Sequence, residues 1–259
     1  MKVLTLNLHS YQEEDQLEKF EEIGDKIAEL QVDIACFCEA SQSLTNKADK
    51  IVEEDNALKI ICDRVNSKSK DHYEVKWEFS HYGFTVYEEG LGIITKLPVV
   101  KTESRYVSKS RSLFDFRSRK ILKVTLQDGK DLVDVFVVHT NIENDPYDPF
   151  ENQFAHIQSW IEESKDHKVI LAGDFGIEPN SRSYDRLIEM DYIDYYGVYK
   201  PEGMYDYTFI NPVGLEFLHE HKQRLDYIIG KEGYSCKFAS YYFNDKQVSD
   251  HVAVYCELV

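Results

Sequence analysis

Short apolar runs punctuate the chain, and each stops at a polar side chain. Val3–Leu6 ends at Asn7, Ile34–Cys38 at Glu39, Val135–Val138 at His139, and Val169–Ala172, after Gly173, at Asp174. Runs of four to six apolar residues without alternation read as strands buried on both faces, so Lys2–Leu8 and Val32–Cys38 are predicted as strands. Helical periodicity fills the space between them. Leu17, Phe20, Ile23, Ile27 and Leu30 recur at three- and four-residue intervals, which predicts a helix over about Gln12–Leu30 opened by the capping-box spacing of Ser10-Tyr-Gln-Glu13. A second helix is predicted over about Asn46–Val65, with Ile51, Val52, Leu58, Ile61 and Val65 inward, before a polar loop at Asn66–His72. A third is predicted near Glu151–Ser164, after the loop Asn141–Phe150, and a short one over Tyr184–Met190.

From Tyr73 the texture becomes aromatic and β-branched alternation. Val75, Trp77, Phe79, Phe84 and Val86, then Leu91–Thr95 after Glu89-Gly90, predict antiparallel strands. Asp128-Gly129 between Ile121–Leu126 and Leu132–Val138 signals a hairpin. Tyr192–Pro212 reads mostly as loop, and Arg224–Ile229, Cys236–Phe243 and His251–Leu258 as closing strands. A strand, an amphipathic helix and a second buried strand, each strand with a polar tip, occur twice. That repetition predicts two similar halves packed face to face, their strand ends meeting in one cleft.

Composition narrows the class. No linker or low-complexity run divides the 259 residues, so a single domain over residues 1–259 is expected. Formal charge is −17, from 30 basic and 47 acidic residues, with no Lys/Arg stripe, which argues against nucleic acid and anionic membrane as partners. A small anionic substrate held by a local metal stays compatible. Without a secretory signal or a membrane span, the chain reads as cytoplasmic. Five cysteines, Cys36, Cys38, Cys62, Cys236 and Cys256, mostly within apolar runs and without paired C-x-x-C spacing, read as reduced core residues.

The polar tips suggest the chemistry. Magnesium binds through one or two carboxylates and leaves its other positions to water and substrate phosphate, which makes Glu39 the candidate ligand, helped by Asp250 or Asn7. A working histidine needs a carboxylate to fix its tautomer. Adjacent strand residues point to opposite faces, so Asp250 serves His251 poorly and Asp226, on a neighbouring strand, serves it well. Arg117 and Arg119 are candidates for bidentate phosphate contact, and Glu89 for a second acid near the metal.

Taken in order, Leu4-Thr-Leu-Asn7, Cys38-Glu39, Gly92-Ile-Ile-Thr-Lys, Val138-His139, Gly173-Asp174-Phe, Arg224-Leu-Asp226-Tyr-Ile and Ser249-Asp250-His251 resemble the endonuclease/exonuclease/phosphatase superfamily, the DNase-I-like fold, over nearly the whole chain. The resemblance implies a four-layer α/β sandwich, two central mixed β-sheets with helices outside, and metal-dependent phosphoester hydrolysis. By position, it implies Glu39, Asn7 and Asp250 at a magnesium or manganese ion. It implies His139 on phosphate oxygens, Asp174 aligning or deprotonating water, and His251 as base or phosphate partner oriented by Asp226. Which of Asp174 and His251 takes the water's proton stays open. Where the family has asparagine two residues after Asp174, this chain has Gly176; Asn141 or Asn180 is the expected substitute donor, the alternative being a slow or non-catalytic relative.

The segment Trp77–Ile94, with Leu8–Glu14 and Pro149–Gln153, resembles a bacterial branch of that superfamily that includes maltose 6'-phosphate phosphatase. A phosphomonoesterase for a sugar phosphate is therefore expected, with Tyr82, Phe84 or Tyr87 as sugar-stacking candidates. The alternatives are a nuclease, a sphingomyelinase-like phosphodiesterase and a binding protein without turnover.

Overall fold

In the computed structural model, which describes residues 1–44, 51–163, 166–200, 206–209 and 222–259, each buried apolar run forms a strand. Sheet A contains β1 (Lys2–Asn7), β2 (Ile34–Ser43), β3 (Glu74–Gly83), β4 (Tyr87–Thr95), β11 (Cys236–Tyr242) and β12 (Ala253–Leu258), in the order β11-β12-β1-β2-β4-β3. Sheet B contains β5 (Val99–Tyr106), β6 (Lys120–Asp128), β7 (Asp131–His139), β8 (Lys168–Asp174), β9 (Ile193–Asp194) and β10 (Asp226–Gly230), in the order β5-β6-β7-β8-β10-β9. The two orders are the same plan. Each sheet has a central parallel pair, β1/β2 or β7/β8, joined through a helix, with antiparallel strands on both flanks. Only the origin of one outer hairpin differs: β5–β6 precedes its parallel pair, whereas β11–β12 returns from the far end of the chain.

Three apolar layers hold these elements. Between the sheets, side chains such as Val3, Ile34, Cys36, Ile93, Val124, Val135, Ile170 and Val254 are fully buried. On the outer face of sheet A lie α1 (Gln16–Leu30) and α2 (Ala57–Lys68), packing Phe20, Ile23, Ile27, Leu58 and Ile61 onto Leu4, Phe37 and Ile94. On the outer face of sheet B, α3 (Phe150–Ile161) and α4 (Arg182–Glu189) bury Phe154, Ile157, Trp160 and Leu187 against Phe136 and Leu171. A fifth helix, α5 (Tyr195–Tyr199), stacks Tyr196 on Tyr241 of β11 at 4.1 Å. The four-layer sandwich therefore follows from amphipathic helices covering both outer faces of two doubly buried sheets. Among the described residues, no helix is long and apolar enough to cross a membrane.

Several boundaries differ from the sequence expectation. Helix α1 starts at Gln16, because Ser10–Gln12 form a separate 3-10 turn whose Ser10 Oγ accepts from the Ser41 amide at 3.2 Å. Helix α2 starts at Ala57, where the Asn56 carboxamide oxygen accepts from the amides of Leu58 and Lys59; Ile51 and Val52 are exposed, and the stretch 46–50 lies outside the described residues. It continues through Asn66 to Lys68. Glu89 and Gly90 are inside β4 rather than at its turn, with Gly90 set against the Trp77 indole. Strand β5, rich in exposed polar residues, has no counterpart in the apolar pattern. The stretch read as loop from Tyr192 holds β9 and α5, with 201–205 and 210–212 outside the described residues.

Candidate active site

In sheet B, three polar tips fall in register on three neighbouring strands. His139 of β7 is the cross-strand partner of Asp174 of β8, and Asp174 is the partner of Asp226 of β10. Gly173 permits this approach: its φ is 149°, and a Cβ there would lie 1.9 Å from the Val138 carbonyl oxygen. Asp174 is held at both oxygens. Oδ1 accepts from the Gly176 amide at 2.9 Å and Oδ2 from Asn7 Nδ2 at 3.2 Å. Burial, reinforced by the nearby Asp226 charge, lifts the Asp174 carboxyl to about 6.

In sheet A the delivery is different. Strand β2 does not end at Glu39 but bulges there: pairing with β4 slips between Phe37 and Ala40, and Glu39 takes a left-handed φ of 50°. Neighbours lock the bulge, as Trp77 Nε1 donates to the Ala40 carbonyl at 2.9 Å and the Leu8 amide to the Cys38 carbonyl at 3.0 Å. The kink swings the Glu39 carboxylate to Asn7, whose Nδ2 donates to Oε1 at 2.9 Å. Burial, then the Glu89 and Asp250 charges, raises the Glu39 carboxyl to about 7. Asp250 and His251 come from the turn before β12, anchored by Ser249 Oγ, which donates to the Asn7 carbonyl at 2.7 Å.

Two of the buried imidazoles, His251 and His139, have opposite partners. His251 Nδ1 lies 2.7 Å from Asp226 Oδ2, and its Nε2 lies 3.9 Å from Asp174 Oδ2. Burial alone would depress its pKa, but the Asp226 charge and hydrogen bond, with Asp174 and Asp250, raise it to about 10. His139 Nδ1 instead faces Arg119 at 3.1 Å, with Nε2 3.6 Å from Glu39 Oε1. Burial first and the Arg119 guanidinium second hold His139 well below its ordinary value, so it is neutral. A guanidinium only donates, so Nδ1 must accept and the ring hydrogen sits on Nε2, facing the cleft carboxylate.

Of these groups Glu39, Asp250, His251 and Arg119 line one cleft of about 530 Å³, together with Glu89, His9, Tyr82, Phe84, Phe114, Phe116 and Phe209. The expectations fare unevenly. Asn7, Glu39, His139, Asp174, Asp226, Asp250 and His251 converge, and Glu89 joins them on the wall. Arg117 does not: it pairs with Asp145 at 3.1 Å and lines a separate groove with Tyr147, so the arginine of this cleft is Arg119, two residues on. Asn141 is also turned away, its Oδ1 accepting from Arg119 Nε and its Nδ2 donating to the Asp148 carbonyl, while Asn180 is exposed. Neither replaces the missing asparagine side chain. Tyr87 stacks on Tyr11 at 5.5 Å outside the cleft lining, whereas Tyr82 and Phe84 line it. The sequence reading passed over His81, which lies 3.2 Å from Glu89; its signal was a lone histidine in an aromatic strand.

Two stacked mixed sheets with outer helices and one polar cleft at their strand ends define the DNase-I-like class. The chain belongs to the endonuclease/exonuclease/phosphatase family, whose sequence model matches residues 4–251, and whose members hydrolyse phosphoesters. No curated protein sequence matches it. An endonuclease/exonuclease/phosphatase family protein from Leptotrichia buccalis superimposes with a TM-score of 0.88 at 25% identity, covering 100% of this chain and 99% of that one. The mannosyl-6-phosphatase Bt3783 of Bacteroides thetaiotaomicron gives 0.66 at 14%, covering 100% and 99%. D. rerio TDP2 complexed with single-strand DNA product gives 0.70 at 13%, covering 100% and 98%. The last two likenesses concern the fold alone.

Proposed function

We propose that this chain is a cytoplasmic, divalent-metal-dependent phosphomonoesterase acting on a sugar phosphate. The observation that carries the reading is the charge layout of the cleft. Among the described residues lining it, Arg119 is the one arginine or lysine, set against Glu39, Glu89 and Asp250, and the outer margin is aromatic. One guanidinium suits one phosphoryl group; a polyphosphate backbone is tracked by a row of cations. Exposed rings at Phe84, Phe114 and Phe116 offer faces on which a sugar can stack. A sugar phosphatase and a DNA-bound protein both share the fold, so the fold does not choose between their substrates. Five free cysteines, four of them buried, accord with a reducing compartment.

The donor set fits a hard cation. Glu39, with Asn7 and Asp250, would hold magnesium or manganese, and a carboxylate whose proton affinity is raised by burial and by two neighbouring carboxylates is one that a divalent charge would keep ionised. When bound, such an ion neutralises charge on phosphoryl oxygens. The chain's own residues supply the rest. His139, neutral with its hydrogen on Nε2, donates to a phosphoryl oxygen, and Arg119 fixes that tautomer while adding positive charge. Asp174 and His251 orient the attacking water, and one of them accepts its proton. Asp226 holds the His251 ring in place.

A phosphatase and phosphodiesterase panel with magnesium, manganese or chelator tests this. The expected result is metal-dependent phosphate release from sugar phosphates, little cleavage of DNA, and at least about 10²-fold loss in Glu39→Gln and His251→Ala. Preference for DNA ends, or full activity in either variant, would overturn it.

A further inference from the structure

His9 and Gln12 line the cleft wall without any part in the reaction described above. We infer that these two residues bind hydroxyl groups of the sugar, His9 through Nε2, and so decide which sugar phosphate is accepted; the inference rests on the phosphomonoesterase reading.

The backbone is bent to put them there. Just past the end of β1, His9 and Ser10 take left-handed φ values of 47° and 33°, which residues carrying a Cβ adopt only where the surroundings impose them. The surroundings here do so. The His9 amide donates to Asn7 Oδ1 at 3.2 Å, Ser10 Oγ accepts from the Ser41 amide at 3.2 Å, and the Gln12 and Glu13 amides donate to the His9 and Ser10 carbonyls at 3.1 and 3.2 Å. Tyr11, in the middle of the turn, is the anchor. It stacks on Tyr87 at 5.5 Å, meets Phe20 edge-on at 5.7 Å, and its hydroxyl donates to the Asp55 carbonyl. With Tyr11 clamped outside the cleft lining, its neighbours His9 and Gln12 are held in it.

The His9 ring is fixed from behind. Its Nδ1 lies 2.7 Å from Glu13 Oε1, and Glu13 Oε2 in turn accepts from Lys19 Nζ of α1 at 2.7 Å. A carboxylate at that distance occupies Nδ1, so Nε2 is the nitrogen left for a ligand, on a side chain that stays 25% exposed. Nε2 accepts when the ring is neutral and donates when it is charged; a hydroxyl does both, so it suits the ring in either state. A phosphate suits it less, because Asp250 Oδ1 lies 3.8 Å from Nδ1 and Glu13 stands beside it. Gln12 is exposed and adds a carboxamide with both a donor and an acceptor. Tyr82, Phe84, Phe114 and Phe116 line the same cleft. A sugar ring has an apolar face and a rim of hydroxyls, and the aromatic rings and the His9–Gln12 pair provide for one each.

The test pairs each residue with a hydroxyl. The probes are the sugar phosphate turned over fastest in the panel above, its monodeoxy analogues, and p-nitrophenyl phosphate, which has no hydroxyl to recognise. By kcat/KM, the wild type should use one deoxy analogue about tenfold less well than the parent, and His9→Asn, which shortens the side chain and tolerates the left-handed backbone, should use the two alike. Gln12→Ala should erase a smaller preference, about threefold, at a second hydroxyl. In His9→Asn the loss on the parent sugar phosphate should exceed the loss on p-nitrophenyl phosphate by about tenfold. Discrimination kept against every analogue in both variants would overturn the inference. Equal losses on the parent and on p-nitrophenyl phosphate would overturn it too, and would assign His9 to the phosphate or the cation. Each ratio is taken within one preparation, so a partly folded variant does not imitate either result. If the wild type hydrolysed no sugar phosphate at all, the phosphomonoesterase reading itself would fail, an outcome distinct from hydrolysis with discrimination unchanged.

Discussion

The corner around His139 and the corner around His251 start from the same material and end in opposite states. Both imidazoles are buried at strand ends near Asp174, yet one faces a guanidinium at 3.1 Å and the other a carboxylate at 2.7 Å. Arg119 holds His139 neutral with its hydrogen on Nε2; Asp226 accepts from His251 Nδ1 and raises the basicity of that ring. Burial pushes both the same way, so burial does not assign the roles. The charge of a single neighbour sets the two apart, leaving one ring neutral with its Nε2–H toward the cleft and the other strongly basic.

The largest test of that contrast removes the basic ring. His251→Ala should lower kcat about 10³-fold, Asp226→Asn about 10²-fold, and the double variant little more than His251→Ala alone, because Asp226 acts through the ring. In chelator, nitrogen NMR should place the His251 titration near 10 in the native chain and well below it in Asp226→Asn. The sign for stability follows. A pKa raised from 6.5 to about 10 gives metal-free protein a stabilisation that is complete below 6.5 and lost progressively as pH rises through about 10. Urea midpoints in chelator should therefore decline over that window in the native chain and lose the slope in Asp226→Asn. An unchanged slope would break the comparison at the His251 corner.

What sequence could say about these corners depended on how the strand ended. Asn7, His139 and Asp174 close apolar runs and were legible, because a run that stops is visible as a run that stops. Glu39 was legible as a residue but not as geometry. Strand β2 continues through Ser41 and Gln42, buried polar residues beyond the predicted strand, and Gln42 is satisfied by partners at Ile51, Glu53, Asn56 and Glu88. The duplicated strand–helix–strand plan was readable from two periodicities; the exposed edge strand β5, with no buried face to imprint, was not. Arg117 and Arg119 show the limit most plainly. Both precede β6 in one polar stretch, and nothing local tells which one meets His139 and which meets Asp145.

That arginine pair supplies a middle-sized test at the other corner. Arg119→Ala should cost about 10²-fold in kcat/KM, by removing a phosphate donor and freeing His139 to change tautomer, while Arg117→Ala should stay within about twofold. Loss of activity on Arg117→Ala instead would relocate the phosphate to the groove beside Tyr147.

The smallest expected effect lies in the loop that steadies Asp174 between the corners. Where the family carries asparagine, Gly176 has φ 60°, a conformation asparagine tolerates, so restoring the side chain looks harmless on backbone grounds. Space argues otherwise. A Cβ at Gly176 would meet the Asn141 carbonyl oxygen at 2.9 Å, the Ile142 Cα at 3.0 Å and the Asn141 carbonyl carbon at 3.1 Å, all backbone of the loop after β7. That loop is pinned from both sides, since the Asn141 amide donates to Gln153 Oε1 at 3.1 Å and the Glu143 amide to the Gly176 carbonyl at 3.1 Å. It gives way only by pulling Asn141 off Arg119 and the Gly176 amide off Asp174. Gly176→Asn should thus destabilise by about 1–2 kcal/mol and lower kcat severalfold rather than raise it. Urea denaturation and kinetics on the same preparation check both; a gain in kcat at unchanged stability would mean that the two loops slide apart freely and that the corners are coupled less tightly than their hydrogen bonds imply.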